Sequence, residues 1–210
     1  MQILAHRGIW LSPAEKNSRG ALLSALESGF GIETDIRDLD GELVISHDMP
    51  GKNALLLKTL LEDYRRIGST ATLALNIKSD GLTLSLDNLL KEYGVSNYFC
   101  FDMSVPDMLH YIKQKVITAS RISELEPEGI LSKETAMIWV DGFNYLPYSI
   151  KDLMRWLTRN KSVCLVSPEL HGRDPKILWT MLKQLPEALL NCPRLMICTD
   201  HPELAREFFK

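Results

Sequence analysis

Short apolar runs alternate with amphipathic segments along the whole chain. The runs cover residues 2–5 (QILA), 31–36 (GIETDI), 72–77 (TLALNI), 98–101 (YFCF), 116–120 (VITAS), 137–140 (MIWV), 162–166 (SVCLV) and 195–199 (LMICT). Each has the length of a strand and is nearly continuously apolar, as expected of parallel strands covered on both faces. Between the runs, apolar residues recur at helical spacing. Leu57, Leu60, Leu61 and Tyr64 form one stripe, with Glu62, Asp63, Arg65 and Arg66 on the other side. Segments 85–94, 106–115, 150–160, 175–190 and 202–209 follow the same rule, and proline opens three of them. Segment 123–136 is the weakest helix, interrupted by Pro127 and Gly129. The alternation predicts an α/β fold, specifically a (β/α)8 TIM barrel, compact and formed by residues 1–210 as a single domain. At 210 residues against a typical barrel of about 250, its loops must be short.

The polar residues are distributed unevenly over this pattern. His6 and Arg7 follow the first run; Glu33 and Asp35 lie in the second; Asn76 and Lys78 close the third. Asp102 follows the fourth and Arg121 the fifth, with Glu124 and Glu126 close behind. Asp141 follows the sixth, Glu169 and His171 the seventh, Asp200 and His201 the eighth. In a barrel these are the C-terminal strand ends, where catalytic groups converge.

Glu33 and Asp35 are two residues apart, so their side chains share one face of the strand, opposite Ile32 and Ile36. Two inward carboxylates repel unless a cation separates them, and an oxygen-rich set suits Mg2+ or Ca2+. The competing arrangement is an ion pair with Arg7 or Lys78. Asp40-Gly41 reads as a tight hairpin turn that brings His47 back toward the same residues. Histidine titrates near neutrality, so His6 and His47 are candidates for an acid–base pair.

Composition narrows the partners. There are 24 Lys and Arg against 27 Asp and Glu, a net charge of -3, which provides no field for nucleic acid. No apolar stretch reaches the roughly 20 residues of a membrane span. No signal peptide is recognisable, because His6-Arg7 comes before an apolar core could form. The cysteines Cys100, Cys164, Cys192 and Cys198 have no metal-finger spacing, and three lie in apolar runs. The expected setting is therefore a reducing one, the cytoplasm. Oligomeric state has no signature in the sequence.

The ordered motifs AHRG, EKNS, ETDI, DGELVISHD, NIK and CTDHPE resemble those of the glycerophosphodiester phosphodiesterase family, within the phospholipase-C-like phosphodiesterase superfamily. The likeness runs through the chain and is most specific over residues 4–48. It implies a (β/α)8 barrel and a metal-dependent phosphodiesterase acting on a small-molecule or glycan-linked phosphodiester. It further implies that His6 and His47 are the acid–base histidines, that Arg7 and Lys78 contact phosphate, and that Glu33 and Asp35 bind the divalent metal. The implied reaction passes through a cyclic phosphate. A lyase that releases the cyclic phosphate, or a pseudoenzyme that only binds phosphorylated ligands, is the alternative. Asn76 stands where the family usually has a third carboxylate ligand. Its carbonyl supplies an oxygen without charge, and Asp102 and Glu169 are further candidates for completing the shell. Lys16 precedes Asn17 where the family's PENT motif differs, an added cation suited to an anionic substrate or simply a solvated loop lysine. Asp102, Glu169 and His171, with Arg173, are candidate contacts to the alcohol portion of the substrate. For the segment 167–174 the alternative is a capped loop leading into the next helix. Trp139 and segment 141–145 offer an aromatic wall or, for Trp139, core packing.

Overall fold

The computed structural model describes residues 1–210. Its internal contacts group into two compact units, Ala5–Thr118 and Ala119–Lys210 together with Met1–Leu4. Strand β1 spans Gln2–His6.

In the first unit, β1 gives way to Arg7 and Gly8, both in the left-handed region with φ of 57° and 93°. Only glycine fits the second position, since a Cβ there would lie 2.5 Å from the Ala21 carbonyl carbon. A loop follows, then α1 (Arg19–Glu27), capped by the Ser18 hydroxyl, which accepts from the Ala21 N–H at 3.2 Å. Strand β2 (Gly31–Leu39) has two jobs. From Ile32 to Ile36 it pairs in parallel with β5 (Leu73–Ile77), and from Ile36 to Leu39 it pairs antiparallel with β3 (Glu42–Ile45). Asp40 and Gly41 join the hairpin with φ of 52° and 87°, the two left-handed residues of a type I′ turn. Strand β3 also pairs with the short β4 (Leu55–Leu56), and β5 pairs in parallel with β6 (Tyr98–Phe101). Helices α2 (Leu57–Arg66), α3 (Thr83–Glu92) and α4 (Val105–Lys113) alternate with these strands. The expected stripe is realised, with Leu57, Leu60 and Leu61 fully buried, as are Leu22, Ile32 and Leu86. Each such side chain contributes about 1.5–3 kcal/mol by leaving water.

In the second unit, β7 (Ala119–Ile122), β8 (Met137–Val140), β9 (Ser162–Val166) and β10 (Leu195–Thr199) form consecutive parallel pairs. Between them lie α5 (Leu131–Glu134), α6 (Ile150–Thr158), α7 (Lys176–Leu182) and α8 (Glu187–Leu190), with α9 (Pro202–Phe208) last. Ser149 and Asp152 close a capping box on α6. Leu153, Trp156, Leu157, Leu178, Trp179 and Leu182 pack with the strand residues into one core.

Three elements differ from the sequence pattern. The fifth strand begins at Ala119 rather than Val116, because the Val116 N–H still closes the end of α4 on the Tyr111 carbonyl at 3.0 Å. Arg121, expected after that strand, therefore lies inside it, in register with Trp139. The single helix expected over 175–190 is two, since Pro186 lacks the N–H needed to continue it. Helix α1, absent from the periodicity reading, carries Gly20 and Ser24 among its apolar positions, which blurs the stripe.

Candidate active site

The residues singled out near the N terminus meet within the first unit. The parallel register of β2 and β5 sets Asp35 opposite Asn76 and Glu33 opposite Ala74. Alternation along β2 puts Ile32 and Ile36 on one face and both carboxylates on the other, all of them fully or almost fully buried. The Asn76 amide donates to Glu33 Oε1 at 3.2 Å. Burial, and then the charge of Asp35, push the Glu33 carboxyl well above the usual carboxylate range, against the opposing pull of Arg7.

Cations and one amide surround Asp35. Arg7 Nε lies 2.9 Å from Oδ2 without the alignment of a hydrogen bond, and Lys78 Nζ lies 3.5 Å from Oδ1. The ion pairs open as an alternative reading are thus formed, by both Arg7 and Lys78, on Asp35. Oδ2 also receives a hydrogen bond from the Asn17 amide at 2.8 Å, while Asn17 Oδ1 accepts from the Thr34 hydroxyl at 2.8 Å. Asn17 has φ of 61° and its N–H donates to the Arg7 carbonyl at 3.0 Å. The sequence gives little sign of this arrangement at Asn17, because it depends on a left-handed turn that leaves no periodic trace; the place of Asn17 directly after Lys16 in the altered motif is its one signal.

His6 Nε2 lies 3.8 Å from Glu33 Oε2. The Arg7 N–H donates to the Glu33 carbonyl at 2.9 Å, which ties the end of β1 to β2. Beyond the hairpin, His47 Nδ1 lies 2.8 Å from Asp48 Oδ1, and the Arg37 guanidinium donates to the His47 carbonyl at 3.1 Å. In the tautomer whose Nδ1 donates to that carboxylate, Nε2 is the nitrogen left to accept a proton. Arg7, Lys16, Asn17, Arg19, His47 and Asp48 are among the residues lining a cavity of about 600 Å3.

No group of three or more His, Cys, Asp or Glu side chains is arranged to hold a metal ion. The third oxygen here comes from an amide instead. Glu33 Oε2, Asp35 Oδ1 and Asn76 Oδ1 are all buried and without hydrogen-bond partners. Three buried oxygens lacking donors are the donor type a hard cation takes, so the residues present fit Mg2+ or Ca2+.

Asp102 directly follows β6 in the left-handed region, φ 67°, and is half-buried. In the second unit, His171 Nε2 lies 2.6 Å from Asp141 Oδ1, with the Phe143 ring edge-on to the imidazole at 5.0 Å. Glu169 accepts from the Thr199 hydroxyl and from the Asp200 N–H. The Arg173 guanidinium donates to the Gly142 carbonyl. Glu124 accepts from the backbone N–H groups of Phe143 and Asn144 at 3.0 and 2.6 Å. Trp139 is buried in its strand, and Cys100, Cys164 and Cys198 are buried free thiols.

No family model and no curated sequence matches the chain. Solved structures do. A protein of Galdieria sulphuraria assigned to the glycerophosphodiester phosphodiesterases is similar with a TM-score of 0.77 and 16% identity, over 99% of this chain and 97% of that one. The glycerophosphodiester phosphodiesterase of Agrobacterium tumefaciens is similar with a TM-score of 0.69 and 16% identity, over 99% and 98%. A Ca2+-dependent phosphatidylinositol-specific phospholipase C of Streptomyces antibioticus is similar with a TM-score of 0.64 and 12% identity, over 100% and 96%. The chain shares the α/β fold of these proteins. At these identities the likeness speaks for the (β/α)8 architecture expected from the strand–helix alternation, and the chemistry must be argued from the side chains. No helix is long and apolar enough to cross a membrane.

Proposed function

We propose that the chain, acting as one catalytic domain over residues 1–210, is a metal-dependent phosphodiesterase that cleaves a glycerophosphodiester-like or glycan-linked phosphodiester. The observation that carries this reading is the trio of buried oxygens without donors on Glu33, Asp35 and Asn76, set beside the cations of Arg7 and Lys78. Glu33, Asp35 and Asn76 would hold the ion, and a bound Mg2+ or Ca2+ supplies a Lewis acid toward the phosphoryl oxygens. Arg7 and Lys78 bind the non-bridging oxygens of the phosphate, for which the guanidinium fork is well matched. Asn17 holds Asp35 in orientation through its amide.

The two histidines divide the proton transfers. His47, with Nδ1 directed to Asp48, takes the proton from a substrate hydroxyl adjacent to the phosphodiester. That oxygen bonds to phosphorus, the bond to the second alcohol breaks, and His6, beside Glu33, delivers a proton to the departing alkoxide. Water then opens the cyclic phosphate with the two roles exchanged. Asp102 is the candidate contact to the alcohol portion from β6.

The experiment is an assay of glycerophosphodiesters and bis(p-nitrophenyl) phosphate with Mg2+, with Ca2+ and with chelator, followed by phosphorus NMR of the products. Turnover that needs the cation and passes through a transient cyclic phosphate is expected. Cyclic phosphate accumulating as the end product would make the chain a lyase. Tight binding of phosphate esters with no turnover under either cation would overturn the enzymatic reading.

A further inference from the structure

A second cavity lies within the second unit and shares no lining residue with the cavity at the candidate active site. At about 370 Å3 it is in the size range of small-molecule sites. Its walls carry three acids, Glu124, Glu128 and Asp152, against one cation, Arg155. That guanidinium is divided between two of them. It meets both oxygens of Glu128 at 3.1 and 2.6 Å, and Asp152 Oδ1 at 3.3 Å. The donors to Glu124 are neutral, namely the backbone N–H groups of Phe143 and Asn144 at 3.0 and 2.6 Å and the Asn144 amide at 3.1 Å. Hydrogen bonds from Arg155 hold the Glu128 carboxyl below the usual carboxylate range, and those from Ser149 do so for Asp152. Against the cost of burial, the amide donors do the same for Glu124. An amide satisfies an oxygen without neutralising its charge, so the walls keep an excess of negative charge. The remaining surface is aromatic. Tyr148 and Trp156 are inclined at 49° with centroids 5.9 Å apart, and Tyr145 adds a third ring. Arg155 shows what such rings attract, its guanidinium lying 5.5 Å from the Trp156 centroid. Two polar groups in the wall are left over. The Tyr148 hydroxyl is buried without a partner, and Trp156, only 3% exposed, turns Nε1–H toward Glu128 without reaching hydrogen-bond geometry.

We infer that this cavity is a binding site for a small organic cation, an alkylated ammonium compound held between the rings of Tyr145, Tyr148 and Trp156 and the acids of the wall. The inference does not depend on the phosphodiesterase reading. Acids without rings would attract any cation, and rings without acids would take a neutral apolar molecule. The combination calls for both properties in one ligand. An inorganic ion fits poorly, because no three of these acids are arranged to coordinate a metal. An alkylated ammonium has its charge spread over apolar groups, so it leaves water readily for an aromatic face. An oxygen on the same ligand would give the leftover Tyr148 and Trp156 donors an acceptor. Tyr145 belongs to segment 141–145, whose sequence offers an aromatic wall.

The test titrates the full chain with tetramethylammonium chloride and with tert-butanol, a neutral molecule of similar shape, at constant ionic strength. Nitrogen–proton NMR reads both site and affinity. Tetramethylammonium should move the Phe143 and Asn144 amide signals and bind about tenfold more tightly than tert-butanol. Glu124→Gln keeps an acceptor for the backbone N–H groups while removing the charge. It should weaken tetramethylammonium about fivefold and leave tert-butanol unchanged. Tyr145→Ala should also weaken the cation about fivefold, whereas Tyr145→Phe, which keeps the ring, should stay within about twofold of the wild type. Equal affinity for the cation and the alcohol overturns the inference, as does the absence of any shift at these amides. Equal shifts with potassium chloride in place of tetramethylammonium overturn it too, because a diffuse counterion layer would then be at work. Affinity unchanged in both Glu124→Gln and Tyr145→Ala has the same consequence. Should Glu124→Gln fail to fold, the two Tyr145 variants decide, since that side chain is 60% exposed and its loss leaves the core intact.

Discussion

Both units carry ionisable residues at the ends of parallel strands, yet the two sets are used differently. In the first unit Glu33, Asp35 and Asn76 leave three buried oxygens without donors, and Asp35 draws Arg7, Lys78 and Asn17 around it. In the second unit most of the groups are matched to neighbours, although Glu169 Oε2 and Arg173 Nε are also buried without hydrogen-bond partners. His171 meets Asp141, Glu169 takes the Thr199 hydroxyl and the Asp200 N–H, and Glu124 and Arg173 tie the backbone of segment 142–144. A polar residue at a strand end is therefore not evidence of chemistry by itself. What separates the two sets is that the unpartnered oxygens of the first unit come three together on the paired strands β2 and β5.

The largest effect that could break this contrast is expected at the histidines and Asp35. His6→Ala and His47→Ala should each lower kcat/KM by about 100- to 10,000-fold, the range for loss of a positioned acid or base, and Asp35→Asn should lower it as well by weakening the hold on the cation. Circular dichroism should show each variant folded, and full activity in either histidine variant would remove that residue from the pair. Next is Asn76→Asp, which adds a charge where an amide oxygen stands. Calorimetry should show divalent-cation affinity rising by about tenfold, whereas an unchanged affinity would place Asn76 outside the shell. His171→Ala is predicted to act on stability, lowering it by about 1–2 kcal/mol through the loss of its bond to Asp141. A tenfold or greater rise in KM with no change in melting would instead make His171 a substrate contact. The smallest effect concerns Asp63. Its hydrogen bond from Arg19 holds its carboxyl below the usual carboxylate range. The stability gained is fully present above the unfolded value of about 3.9 and is lost as pH falls through the lowered folded value. Urea midpoints of the wild type and Asp63→Asn should differ at pH 7 and converge in acid. A gap that persists at low pH would rule out the charge as its source.

The strands and most helices were legible because burial imposes periods of two and about 3.6 on the sequence. Leu57, Leu60, Leu61 and Tyr64 show it plainly. The misses have local causes. Pro186 divides a helix that hydrophobicity alone would continue, Val116 is held back by the end of α4, and α1 hides its stripe behind Gly20 and Ser24. At the candidate site, the facing of Glu33 and Asp35 follows directly from strand alternation. The contribution of Asn17 does not, because it depends on the left-handed backbone at Arg7 and Asn17 and on a hydrogen bond spanning 18 positions. Nor could the sequence distinguish the satisfied Asp141–His171 pair from the unsatisfied carboxylates, since donors are counted only in three dimensions.

Strand β2 pairs with β5 through one end and forms a hairpin through the other, so a single stretch of backbone acts as a ruler from Glu33 to His47. Losing or gaining one residue along it would turn both carboxylates to the opposite face while moving the imidazole by a step. Point substitutions can adjust such a ruler, but insertions and deletions cannot be absorbed there. Length variation in descendants of this chain should accordingly be confined to segments outside positions 33–47.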